Sequence, residues 1–270
     1  STVATPSAGH RSRSVLGWAT VTAGLLVAGL AVAAIAGINT MPAQGLLDPE
    51  AAGPEGSRAL AELLRDRGVE VEIARDRTAA LRALEGGDAT LAIADTAPLD
   101  DDDLRELRDA ASGVVLLEPR TRDLRVLLGD PRSAGFGDGS AVAPACDLPA
   151  AAVSGPVRPG EVFTGDGADR TCYAAGDGYG LIVSGRGTDT VVALDATALL
   201  VNERLDEAGN AALGLNLLGG TGTVVWYLPS IGDGSLTAAP SLGELTPPWV
   251  TPSILLLVAA AVAAAIWRGR

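Results

Sequence analysis

The sequence predicts a three-layer α/β domain, built on a mostly parallel sheet and carried between two membrane-spanning helices. Short apolar segments, such as 89–94 (ATLAIA) and 114–117 (VVLL), alternate with amphipathic helical patterns, the mark of strands covered on both faces. Two long uncharged runs lie near the ends of the 270-residue chain, and all 33 Asp and Glu fall between them. The last turn of each helical pattern is followed by Gly, the usual C-terminal stop.

Residues 1–14 form a basic tail containing Arg11 and Arg13. Residues 15–38 are uncharged and, at 1.5 Å rise per residue, roughly 36 Å long as a helix, more than the ~30 Å hydrocarbon core of a bilayer. The Ala34-Ile35-Ala36 pattern suits a signal-peptidase site, but the run is longer than a cleavable apolar region, so a retained span is expected. Residues 249–267 form the second span, with Pro252 in its first turn, and 268–270 form a short basic end. Trp18, Trp249 and Trp267 sit near the ends of the runs, where indoles favour the head-group zone. Arg11, Arg13, Arg268 and Arg270 flank one side of the spans, and no Arg occurs at 39–57 or 205–248. Both termini are therefore expected in the cytoplasm, and residues 39–248 outside it, in a multi-pass protein of the cell membrane.

Within the middle segment, 54–67 reads as a helix with Leu60, Leu63 and Leu64 on one face, and 69–74 as a strand. A short helix follows from a Thr78 cap, then the strand 89–94. The acidic run 100–103 opens the next helix, where negative charge favours the N-terminus; four consecutive Asp cannot converge on one calcium ion. After the strand 114–117 and a helix over 121–128, periodicity dissolves. Residues 129–178, rich in Gly, Ala, Pro and Asp, read as an irregular insertion with one or two short strands. A hairpin is expected over 179–184 and 188–194, then a helix over about 207–218, the strand 223–228 (TVVWYL) and a Pro-rich tether over 237–248.

Composition excludes several chemistries. Sixteen Arg face 33 acids in the middle segment, a formal charge of about −17, which repels nucleic acid. The single His is His10 in the basic tail, so the domain lacks the usual imidazole base, and there is no G-x-S-x-G nucleophile turn. The chain has no Lys, so the glycine-rich Gly135-Phe136-Gly137-Asp138-Gly139 cannot complete a G-x-x-x-x-G-K-[ST] phosphate loop. Cys146 and Cys172 are too few for a zinc site and lack C-x-x-C spacing. A disulfide is the favoured reading over a nucleophilic thiol, because it persists outside the cytoplasm and would staple the aperiodic segment. Neither a metal nor a cofactor is expected.

Three strands end in a carboxylate, at Asp95, Glu118 and Asp195. If those strands run parallel the three share one sheet edge, where open α/β sheets place ligands. They would then bind a cation or an amine, or act as an acid/base pair; the simpler alternative is that each caps the helix that follows.

Asp48-Pro49, Gly56-Ser57-Arg58-Ala59-Leu60, Asn202-Glu203-Arg204-Leu205, Gly209-Asn210-Ala211 and Val225-Trp226-Tyr227-Leu228-Pro229 stand in this order between the two apolar runs. In this the chain resembles the bacterial membrane family catalogued as domain of unknown function 4350, with Asn202, Asn210, Trp226 and Tyr227 as motif residues. The resemblance implies an extracytoplasmic, flavodoxin-like or amidotransferase-like sheet similar to class I glutamine amidotransferases, and genetic company with MoxR-type ATPases. A working amidotransferase would carry Cys on a tight strand-to-helix turn, where this chain has Glu118-Pro119. The expectation is a non-enzymatic membrane protein with protein partners; the alternative is a cell-envelope enzyme using the strand-end carboxylates, with or without a metal.

Overall fold

The computed structural model describes residues 45–186, 189–230 and 232–233. The tails and apolar runs at 1–38 and 249–270 lie outside the described residues, as do 39–44 and the tether at 237–248. Among the described residues no helix is long and apolar enough to cross a membrane.

The elements in chain order are α1 (Arg58–Asp66), β1 (Glu70–Ala74), α2 (Arg77–Leu84), β2 (Ala89–Ile93), α3 (Asp101–Ala110), β3 (Gly113–Leu116) and α4 (Thr121–Leu128). Then come β4 (Ser133–Phe136), α5 (Pro149–Ser154), β5 (Glu161–Phe163), β6 (Arg170–Ala175), β7 (Gly178–Arg186), β8 (Asp189–Leu194), α6 (Asn210–Leu218) and β9 (Thr223–Tyr227). They form one mixed sheet in the order β1-β9-β2-β3-β8-β7-β5-β4, with β6 also paired to β7. The first five strands of that order are parallel. The remainder, joined through the expected β7–β8 hairpin, are antiparallel.

Strand alternation splits the core into two layers. Ala92, Val115, Leu181, Val183, Val224 and Trp226 pack with Leu60 and Leu64 of α1 and with Leu213 and Leu218 of α6. Leu91, Ile93, Val114, Leu116, Val225 and Tyr227 face Leu84 of α2, Leu104 and Leu107 of α3, and Leu124 and Leu128 of α4. All five residues of β2 are buried, as a strand covered on both faces requires.

The structure departs from the sequence reading in four places. Helix α1 begins at Arg58 rather than residue 54, because 54–57 turn under a neighbouring loop; a side chain on Gly56 would overlap the Ala51 carbonyl. Leu63 is 37% exposed, since Leu60, Ala61 and Leu64 already complete the buried stripe. Helix α2 is capped by Asp76, whose carboxylate accepts the Ala79 N–H at 2.7 Å, so Thr78 lies inside it. The 129–178 segment holds α5 and three strands rather than one or two, with β5 and β6 paired onto β7 and β4 onto β5. The acidic run does open α3, with Asp100 as its cap: the Asp100 carboxylate accepts the Asp103 N–H at 2.8 Å, while the Asp103 carboxylate accepts the Asp100 N–H at 3.1 Å.

Candidate functional site

Strands β2, β3 and β8 are adjacent and parallel, with Ile93 opposite Leu116 and Leu116 opposite Ala193. Their backbones stay paired one step further, through Leu117 N–H to the Ile93 carbonyl at 2.9 Å and Ala196 N–H to the Leu117 carbonyl at 2.7 Å. Asp95, Glu118 and Asp195 therefore leave the sheet together at its C-terminal edge. The three carboxylates occupy three different electrostatic situations.

Asp195 is fully engaged. Its Oδ1 accepts Thr197 N–H (3.0 Å), Thr197 Oγ1–H (2.5 Å) and Ala198 N–H (3.3 Å), closing the turn after β8. Its Oδ2 accepts Glu161 N–H at 2.9 Å and so ties β5 to that turn. The approach is close enough that a Cβ at Gly160 would overlap the carboxylate. Asp95 is shared: Oδ1 accepts Ala97 N–H at 2.9 Å and the exposed Arg120 guanidinium at 2.9 and 3.2 Å.

Glu118 is half-buried, and its carboxylate forms no hydrogen bond or ion pair among the described residues. Burial is the main cause that raises its pKa above the ordinary carboxylate range. The charges of Asp95, Asp195 and Glu161 push the same way, and the Arg120 guanidinium pulls against them. Glu118 is thus the group at this edge with unspent capacity: it would gain most from an incoming cation or hydrogen-bond donor.

The turn carrying Glu118 is set by a network that the sequence reading did not find. Asp123, at the start of α4, is fully buried; its Oδ2 accepts Arg120 N–H at 2.9 Å and the buried Thr96 hydroxyl at 2.5 Å. Arg122 donates to the Thr96 carbonyl at 2.8 Å and lies 3.4 Å from Asp123 Oδ1. These bonds lock the loop after β2 onto the N-terminus of α4. The three-residue spacing of Arg120 and Asp123 was the available signal, a capping position of the kind found at Asp100 and Asp103. No residue between β3 and α4 has positive φ. The strained strand-to-helix turn that exposes a nucleophile is therefore missing here.

The motif residues hold the edge together. Asn202 accepts Ala59 N–H at 2.9 Å and donates to the carbonyls of Ala51 (3.0 Å) and Gly53 (2.6 Å), fastening the incoming 47–57 segment to the chain after β8. Buried Asn210 donates to the Arg204 carbonyl at 2.8 Å. Trp226 Nε1–H donates to the Leu47 carbonyl at 3.1 Å, and the Tyr227 hydroxyl donates to Asp233 at 3.1 Å. Both rings are fully buried, and burial pushes the Tyr227 hydroxyl's pKa well above its usual range.

Cys146 and Cys172 form a disulfide with Cα atoms 5.3 Å apart, joining the segment before α5 to β6. Among the described residues no group of three or more His, Cys, Asp or Glu is placed to hold a metal ion. An open groove of about 340 Å³, lined by Leu64, Val69, Leu215 and Asn216 among others, lies at the opposite edge of the sheet, away from the carboxylates.

Comparison with known proteins gives the chain a family. Residues 49–218 match the family model described as Domain of unknown function (DUF4350). The chain is also similar to the "Uncharacterized membrane protein Rv3691" of Mycobacterium tuberculosis, 32% identical over 257 residues that make up 92% of this chain. It spans 66% of that relative's length. No solved structure matches the chain. With the family model covering more than half of its residues, this chain belongs to the DUF4350 family.

Proposed function

We propose that this chain is a non-enzymatic, two-span membrane protein whose α/β domain lies outside the cytoplasm and binds a partner at the Glu118 edge, within a membrane-associated assembly. The observation that carries the reading is Glu118 itself, a half-buried carboxylate without a hydrogen-bonding partner among the described residues, set where three parallel strands end. The apolar runs at 15–38 and 249–267 and the membrane-protein name of the mycobacterial relative support the location. The family resemblance adds the link to a MoxR-type ATPase system.

Against hydrolysis or amide transfer stand the chemical needs of those reactions. Both thiols are bonded to each other and the single His is His10, while Glu118-Pro119 follow β3 where, on the family resemblance, an amidotransferase would carry its nucleophile. A second reading, an envelope enzyme with Glu118 as general acid, is favoured by one fact, the raised affinity of that carboxyl for its proton. It needs a second group free to act, and Asp195 is spent on four hydrogen bonds while Asp95 is held by Arg120.

The test is a crosslinked pull-down from intact membranes. Asp95→Ala with Glu118→Ala is expected to weaken partner capture while the domain stays folded, and Cys146→Ser with Cys172→Ser is expected to leave capture intact. Unchanged capture in the carboxylate variant would reduce those residues to capping and spacing roles. Glutamine hydrolysis by the purified protein would overturn the non-enzymatic reading. Reporter fusions at Gly45 and after Arg270 should lie on opposite sides of the membrane.

A further inference from the structure

The chain enters and leaves the α/β domain at the same edge of the sheet. On the incoming side, the Leu47 carbonyl is held by the indole of Trp226, the next-to-last residue of β9. Asp48 and Glu50 then pair with Arg75, the residue that follows β1, at 3.1 and 2.5 Å. On the outgoing side, Asp233 accepts the Arg77 N–H at the start of α2 (3.1 Å), the Ser230 N–H (2.7 Å) and the Tyr227 hydroxyl (3.1 Å). Both ends are thus anchored beside the C-terminal ends of β1 and β9, on the edge that carries Asp95, Glu118 and Asp195.

Resting on the two-span reading above, we infer that this C-terminal sheet edge is the membrane-facing surface of the domain. The length of the incoming link supports it. Only residues 39–44 separate the first apolar run from Gly45, a reach of roughly 25 Å when fully extended. A compact domain of about 190 residues measures roughly 40 Å across. The link is too short to pass around the domain to the opposite edge, and the fifteen-residue link at 234–248 leaves from the same place. The Glu118 carboxylate consequently looks toward the head groups, and a ligand for it must be presented at the membrane surface. The groove lined by Leu64 and Leu215 faces away.

The test uses the full chain in liposomes with acceptor-labelled head groups in the outer leaflet. Two variants carry a donor fluorophore at opposite ends of β2, Ala97→Cys at the C-terminal edge and Asp88→Cys at the other. Both positions are exposed, and they lie at most roughly 30 Å apart. A membrane-impermeant maleimide is applied without reductant, so that the native disulfide survives. Energy transfer from the Ala97 position should be several-fold more efficient than from the Asp88 position. Equal or stronger transfer from Asp88, in protein that resists alkaline extraction, overturns the orientation and leaves the two spans standing. Release of the chain by alkaline extraction overturns the two-span reading and the orientation with it.

Discussion

Removing the Asn202 side chain should loosen the strap that runs into α1. Asn202→Ala deletes three hydrogen bonds, one from Ala59 N–H and two to the carbonyls of Ala51 and Gly53. At a net ~0.5–1.5 kcal/mol each, their loss is worth about 1.5–4.5 kcal/mol. Ala59 and Gly53 are exposed, so water recovers part of that loss, and the expected figure falls to about 2 kcal/mol. Urea unfolding of the isolated 45–233 segment, followed by fluorescence of Trp226, measures it as a lower midpoint at constant slope. Asn202→Asp should do no better than Ala, since it keeps the acceptor for Ala59 but sets a carboxylate against two carbonyl oxygens. Ser57 fastens the same strap through its hydroxyl, which donates to the Leu200 carbonyl at 3.1 Å, so Ser57→Ala and Asn202→Ala should combine non-additively. A loss below ~0.5 kcal/mol for Asn202→Ala, or wild-type stability for Asn202→Asp, would refute the assignment of this family-motif residue to a structural strap.

Two further outcomes follow from the covalent and ionic features. Cys146→Ser with Cys172→Ser opens a loop of sequence separation 26, which in the chain-entropy account lowers stability by about 3.5 kcal/mol. Calorimetry should then show Tm lower by roughly 7–14 °C, and a drop of only a degree or two would mean that β6 and its neighbours need no staple. Glu118→Gln should stabilise the domain at neutral pH. The folded-state pKa of Glu118 lies above its unfolded value, so its stabilising contribution is present below the unfolded pKa and lost as pH rises through the folded one. Chemical denaturation across pH should show the gain of the Gln variant near pH 7.5 and its disappearance below about pH 4. A gain that grows toward acid would contradict the sign.

Much of this edge was legible in residue order, because parallel strands buried on both faces leave a plain mark. The ATLAI segment is β2, and a carboxylate within two residues of the end of each of three such strands must reach the same edge once the strands are parallel. The Asp100 cap was equally visible, since its partner lies only three residues away. What escaped depended on distant partners. Strands β4 and β5 are four and three residues long, with a register shift between Ser133 and Gly135, too short and irregular for any period to show. They exist because β7 offers an edge to β5, and β5 in turn offers one to β4. Asp123 looks like one more solvated acid until Thr96, 27 positions earlier, folds onto it. Asn202 was recognisable as a motif residue, yet its work is done on Ala51, Gly53 and Ala59, about 150 positions away.

Strand β9 is the last of the described strands to be synthesised, and it sits between β1 and β2, pairing in register with both. Until Thr223–Tyr227 is available, β1 and β2 face an empty slot and Trp226 is missing from the core. The sheet therefore closes only when nearly the whole domain has emerged. Sequence-distant pairing of this kind is slow, and it leaves unpaired strand edges exposed meanwhile. The family match ends at residue 218, short of this strand, so a fragment cut at that boundary would lack the piece that completes its sheet.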